Sequence, residues 1–355
     1  MPMDPLSFPA RPGSRLSAGP VPGGRYGDDV SGIRRQARAR ELLRQHLAAH
    51  PGNPEKALAE HLDALRSLTG FPDGAAGPEQ AVPSGGQDGE IPAGVEEAAS
   101  RIQAVLNGGL LLTAFQPVSD LATGAIVGVE AFTRFVSDGN DTASWFTEAT
   151  EARLGSELEF AALESALKAA RHLAEPLYVA LKLSPATCLD PLLPELLRAS
   201  ELSPDRMVLQ LTKAPGAGQP AALVAALLPL RRSGVRLAIG HLGSYSDSIP
   251  HIRQLGPDIL KLDRNLIAGI DTDPLRPAFG SALTGFADQL GAVLIAEGIE
   301  TRDELAAVAG FGVSAGQGYF LGRPSTRPQD WASWNDSAAS LHSRTERHGA
   351  AKSRH

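Results

Sequence analysis

The chain has 355 residues, 43% of them hydrophobic and 21% charged, with a formal net charge of −7. That is enough apolar material for one large core plus appendages, and the acidic balance argues against general nucleic-acid binding, which favours a basic field. The single cysteine, Cys188, excludes an intrachain disulfide, and no apolar run approaches the roughly 18 residues a membrane helix needs, so a reduced cytoplasmic setting is expected.

Residues 1–30 are punctuated by Pro and Gly and carry no apolar signal segment, so disorder is expected there. Over 31–70 the pattern turns helical. Ile33, Ala37, Leu42, Leu43 and Leu47 fall near helical spacing among Arg34, Arg35, Arg38, Arg40 and Arg44, and a second helix opens at Pro54 and carries Ala57, Leu58, Leu62, Leu65 and Leu68. The two helices read either as a hairpin that dimerises or binds a partner, or as a pair packed on the main domain with its arginines solvated. Residues 71–95 read as a flexible linker.

The main domain is expected over 96–335, followed by a disordered tail over 336–355. A helix over 95–112 leads in. Apolar, strand-like runs then recur at 125–132, 177–183, 207–211, 235–239, 259–262 and 293–296, with the clearest helices at 157–173, 221–231 and 275–290. Such alternation implies parallel strands joined by crossover helices, an α/β fold of the TIM-like β/α barrel type.

In such a barrel the loops at the C-terminal strand ends converge on one mouth. Glu130, Lys182, Gln210, Gly240, Lys261, Glu297 and Gln317 each fall at or just past a strand end. Any one of them alone reads as a residue entering solvent; in register they read as one site.

Several segments around these positions, in order, are similar to the motifs of a known family. Phe115-Gln116-Pro117-Val118 opens the series, followed by Glu130-Ala131-Phe132-Thr133-Arg134, Ala296-Glu297-Gly298-Ile299-Glu300-Thr301 and Gly316-Gln317-Gly318-Tyr319-Phe320. They resemble the EAL family of cyclic di-GMP phosphodiesterases, named for a Glu-Ala-Leu triplet that here ends in Phe132. The resemblance implies a barrel of that type. In active members it also implies two magnesium or manganese ions that activate water against a phosphodiester.

The family's metal ligands are the triplet Glu, an Asn in Asn-Leu-Ser-Pro, a Glu in Glu-Ile-Thr-Glu and adjacent aspartates in Asp-Asp-Phe-Gly. Glu130 remains here. The other segments read Lys182-Leu183-Ser184-Pro185, Gln210-Leu211-Thr212-Lys213 and Gly240-His241-Leu242-Gly243, and the ungapped distance to Lys261-Leu262-Asp263 matches the family's. Carboxylates are missing at Gln210, Gly240 and His241, and a cation is added at Lys182. Magnesium and manganese favour hard, mostly anionic oxygen ligands, so no metal cofactor is expected. Glu130, Asp263 and Glu297 are expected to face Lys182 and Lys261 and balance charge without one. His241 could join Glu130 and Asp263 around a softer ion, although a His at a strand end is more often a hydrogen-bonding or surface group.

No catalytic residue is expected. Glu297 resembles the family's proposed general base but has no metal-bound water to deprotonate, and Lys261 and Gln317 resemble positioning groups that cannot replace two cations. Recognition is a separate matter. The resemblance implies that Gln116, Glu130, Arg134 and Glu297 hold cyclic di-GMP, with the Arg134 fork on a phosphate and Gln116 on a guanine edge. Phe132 either stacks on a base or fills the mouth.

The expected function is a catalytically inactive EAL-like effector in bacterial second-messenger signalling. Cyclic di-GMP would bias the N-terminal helices toward a protein partner, and a homodimer is one form such an assembly takes. One rival is a protein-interaction scaffold whose mouth Lys182 fills. The other is a slow phosphodiesterase built on Glu130, Lys261, Glu297 and Gln317.

Overall fold

The computed structural model describes residues 93–136, 142–212, 219–240, 249–272 and 276–334, with single positions at 45, 49, 50, 56 and 60. Nearly all of the expected N-terminal helices and of the linker, with the tail, His241 and Lys213, lie outside these residues. Helix α1 (Ala93–Gly108) turns at Gly109, whose φ of 61° suits glycine, into β1 (Leu111–Asp120). Strand β2 (Ile126–Phe135) returns antiparallel, with Gln116 opposite Glu130. Their turn is fixed by the Asp120 carboxylate, which accepts from the Thr123 N–H at 2.7 Å and its hydroxyl at 2.6 Å.

Helices α2 (Thr142–Glu151) and α3 (Gly155–Ala170) precede β3 (Tyr178–Leu183), then α4 (Pro185–Leu189), α5 (Leu192–Ala199) and β4 (Met207–Leu211). The series continues with α6 (Gln219–Arg232), β5 (Arg236–Ile239), α7 (Ile249–Leu255), β6 (Ile259–Leu262) and α8 (Arg264–Ile267). It ends with α9 (Arg276–Leu290), β7 (Val293–Ala296), α10 (Arg302–Ala309) and β8 (Ala315–Gly316). The strands close into a barrel in sequence order.

One expectation needs correcting. Strands β2 to β8 run parallel to their neighbours, but β1 is antiparallel to both β2 and β8. A parallel connection needs a crossover of about a dozen residues, and the 121–125 link is too short to be one. The short strand β8 also lay outside the apolar runs read from sequence, because only Ala315 and Gly316 form it.

Alternation along the strands sorts the core into layers. Val179, Leu181, Leu209, Leu237, Leu260 and their neighbours point outward under the helices. The inward face puts Val118, Tyr178, Ala180, Val208, Ala238, Ile259, Ile295 and Ala315 into one small apolar cluster inside the barrel. Two residues further toward the mouth on each of these strands stand Gln116, Lys182, Gln210, Gly240, Lys261, Glu297 and Gln317. The polar residues read as strand ends are thus the next layer of the barrel interior. Tyr178 plugs the apolar layer over Gly128, where a Cβ would lie 2.5 Å from its ring, and burial pushes its phenol up to about 12.

The segment after β8 is fastened to β1. Phe115 and Ser325 exchange backbone hydrogen bonds of 2.9 Å in both directions, and Trp331 donates its indole N–H to the Ser325 carbonyl at 3.0 Å while packing edge-on against Phe115 at 5.0 Å. Among the described residues no helix is long and apolar enough to cross a membrane.

Candidate functional site

Lys261 stands at the centre of the polar layer. It sits in a four-residue apolar strand and is 1% exposed. Its ammonium donates to Glu130 Oε2 in a short contact, to Glu297 Oε1 at 2.9 Å and to Gln317 Oε1 at 3.2 Å. Gln317 returns a hydrogen bond from Nε2 to Glu130 Oε2 at 2.6 Å. On the other side, Lys182 Nζ lies 2.7 Å from Glu130 Oε1. Glu130, itself 1% exposed, therefore has an ammonium on each of its oxygens. The same Lys182 Nζ stands 4.0 Å from the centroid of Phe132.

These charges move the titration of Glu130 and Lys261. Burial raises the Glu130 carboxyl, but Lys182 and then Lys261 outweigh it and hold the group well below its ordinary value of 4.5. Burial lowers Lys261, yet Glu130 and then Glu297 outweigh it and hold the ammonium above its ordinary 10.5. Glu130 therefore contributes its full stability above 4.5 and loses it as pH falls further, whereas Lys261 contributes fully below 10.5 and loses it as pH rises further. Denaturant melts across pH are expected to show a plateau between about pH 5.5 and 9.5 with a decline on either side. Stability rising as the pH drops through 4.5 would contradict this.

Of the residues where the resemblance places metal ligands, Glu130 is paired with two ammonium groups and Gly240 offers no side chain. Gln210 is 1% exposed and neutral; its Oε1 has no hydrogen-bond partner among the described residues. Its Nε2 lies 2.9 Å from where a Cβ on Gly240 would stand, so the amide occupies space a side chain there would need. Among the described residues no three His, Cys, Asp or Glu side chains group as metal ligands would. Asp263 does a job the sequence did not reveal. It caps α8, its Oδ1 accepting from the Asn265 N–H at 2.8 Å. His241 lies outside the described residues.

Of the residues read as ligand contacts, Glu130, Phe132 and Arg134 share one face of β2, and Glu297 joins Glu130 through Lys261. Gln116 lies on the same inward face of β1 but is 5% exposed, and its amide donates to the Gly322 carbonyl at 2.9 Å. A cavity of about 690 Å³ opens beside Arg134, lined also by Ala114, Arg323, Ser325, Arg327 and Trp334. Only Arg134 in that lining was read from sequence.

Supporting residues also escaped sequence reading. Glu159 on α3 gathers the Ser184 N–H at 3.0 Å, the Ser184 hydroxyl at 2.9 Å and the Thr187 hydroxyl at 2.5 Å, pinning the turn after Lys182. Arg264 donates to the Gly298 carbonyl at 2.7 Å and to both Glu304 oxygens at 2.9 Å, pinning the turn after Glu297. The Thr301 and Glu304 spacing is a capping box and was a legible signal; Glu159 carried none. Gly318 meets the same turn so closely that a Cβ would fall 2.1 Å from the Ile299 carbonyl oxygen.

A family profile described as "EAL domain" matches residues 99–324, more than half of the chain. The chain belongs to the EAL domain family. Among curated proteins, this EAL domain is 28% identical over 235 residues to the cyclic di-GMP phosphodiesterase PA2567 of Pseudomonas aeruginosa, covering 61% of this chain and 39% of that protein. It is 27% identical over 220 residues to the cyclic di-GMP phosphodiesterase RocR of the same organism, covering 59% and 56%. The chain thus spans well under two-thirds of either relative. Among solved structures, the PaMucR phosphodiesterase in its c-di-GMP complex superposes with a TM-score of 0.59 at 23% identity, covering 66% of this chain and 99% of that one. The Xanthomonas citri FimX EAL domain in complex with c-diGMP gives a TM-score of 0.59 at 19% identity, covering 66% and 95%. At such identities the likeness shows the EAL fold.

Proposed function

We propose that this EAL domain binds cyclic di-GMP without metal, does not hydrolyse it, and works as an effector that relays nucleotide occupancy to a protein partner. One observation carries the reading: both oxygens of Glu130 are held by the ammonium groups of Lys182 and Lys261, where active members would need that carboxylate on a metal ion. A neutral Gln210 and a bare Gly240 on the neighbouring strands support it. Groups beyond those positions are also placed to meet the nucleotide. Arg134 lines an open cavity, and Phe132 offers an aromatic face beside it. Relatives named as cyclic di-GMP phosphodiesterases supply the ligand class.

Calorimetric titration of the protein with cyclic di-GMP, run with EDTA and again with magnesium, tests this. Binding is expected in both, with the same affinity. Arg134→Ala should weaken it by about 1.5 to 3 kcal/mol, the range for a hydrogen bond to a charged group. Binding abolished by EDTA would overturn the metal-free reading.

The scaffold reading has an observation of its own, since Lys182 over Phe132 occupies some of the mouth. No heat of binding at millimolar cyclic di-GMP would favour it. The slow-phosphodiesterase reading keeps Glu130, Lys261, Glu297 and Gln317 in mutual contact but gives them no activated water.

A further inference from the structure

At the mouth, the inward face of β2 ends in an aromatic ring flanked by two cations. Glu130, Phe132 and Arg134 alternate along that face, and the Phe132 ring carries a cation from each of two strands. Lys182 Nζ stands 4.0 Å from the ring centroid and Arg134 Cζ 5.8 Å from it. An aromatic face attracts and orients both.

Neither cation is consumed by these contacts. An ammonium has three donors; that of Lys182 gives one to Glu130 Oε1 at 2.7 Å and rests against the ring, with 32% of its side chain still exposed. Nor is Lys182 the only counter-ion of Glu130, because Lys261 and Gln317 already serve Oε2. Arg134 uses Nη1 on the Thr133 carbonyl at 3.0 Å, which fixes the plane of a guanidinium fork lining the adjoining cavity.

We infer that Lys182 and Arg134, seated on Phe132, form a two-cation clamp that selects a ligand carrying two phosphodiesters over one carrying a single phosphodiester. Lys182 then supplies at one phosphate the positive charge that a metal ion supplies in the active members. The inference rests on the cyclic di-GMP reading and assigns to Lys182 the opposite role from the scaffold reading, in which it obstructs the mouth.

The test is titration, in EDTA, of the full chain with cyclic di-GMP and separately with cyclic GMP, which has one phosphodiester. Lys182→Met is expected to weaken cyclic di-GMP about 10- to 100-fold, the effect of losing a hydrogen bond to a charged group, while changing cyclic GMP by less than about threefold. Phe132→Leu, which removes the ring and keeps an apolar side chain, should produce the same selective loss, and it carries the test if Lys182→Met does not fold. Equal weakening of both nucleotides, or unchanged cyclic di-GMP affinity in either variant, overturns the clamp and leaves metal-free binding standing. Failure of the wild-type chain to bind cyclic di-GMP at all removes the proposed function, and the clamp with it.

Discussion

Incubated with cyclic di-GMP and magnesium or manganese, the purified protein is expected to release no measurable linear dinucleotide. A divalent ion contributes several kcal/mol of charge stabilisation and generates the attacking hydroxide, and each 1.36 kcal/mol is a factor of ten. Turnover should therefore fall at least about a thousandfold below an active EAL phosphodiesterase assayed in parallel. Restoring one residue should not recover it. Gln210→Glu leaves Lys182 on Glu130, and Gly240→Asp must first displace the Gln210 amide that lies 2.9 Å from its Cβ position. Metal-dependent hydrolysis that disappears in Glu130→Ala would show that the site assembles its ions in spite of these contacts.

The largest stability effect is expected at Lys261. Lys261→Met would leave Glu130 and Glu297 in the barrel interior without the ammonium that joins them, and breaking a buried pair costs about 3 to 5 kcal/mol. For a domain of this size that corresponds to a melting temperature lower by roughly 6 to 20 °C. Lys182→Ala should cost less, about 1 to 3 kcal/mol, because Lys182 is partly exposed and Lys261 keeps Glu130 paired. Lys168→Ala, on a surface pair with Glu164 whose lysine side chain is 66% exposed, should stay under about 1 kcal/mol. Melting of Lys261→Met within 2 °C of the wild type, or a Lys182→Ala loss that exceeds it, would refute the ranking.

The interior layer was legible because strand ends at Lys182, Gln210, Lys261 and Glu297 recur in register, and alternation alone then turns them inward. What the sequence gives no measure of is depth. Lys182 and Lys261 look alike as lysines near strand ends, and the sequence reading set both of them against the acids without ranking them; in the fold Lys261 makes three of the contacts at the centre. A hint existed, since Lys261 interrupts the run Ile259-Leu260-Lys261-Leu262 and a buried strand leaves no outlet for it. Gln116 and Asp263 show another limit. Among their partners are the Gly322 carbonyl and the Asn265 N–H, backbone groups that no side-chain pattern announces. The reversed β1 is plain only once the shortness of its link to β2 is weighed against what a crossover requires.

The fastening of Ser325 and Trp331 onto Phe115 has a mechanical side. Helix α1 enters the domain through β1, and the segment that leaves it is stitched to the same strand, so both tethers of the barrel act on one wall. Two backbone hydrogen bonds and an indole form that seam, an antiparallel bridge set beside the parallel ladders of β2 to β8. That wall carries Gln116 and borders Arg134, so the two routes by which the chain enters and leaves the barrel meet beside the residues at its mouth.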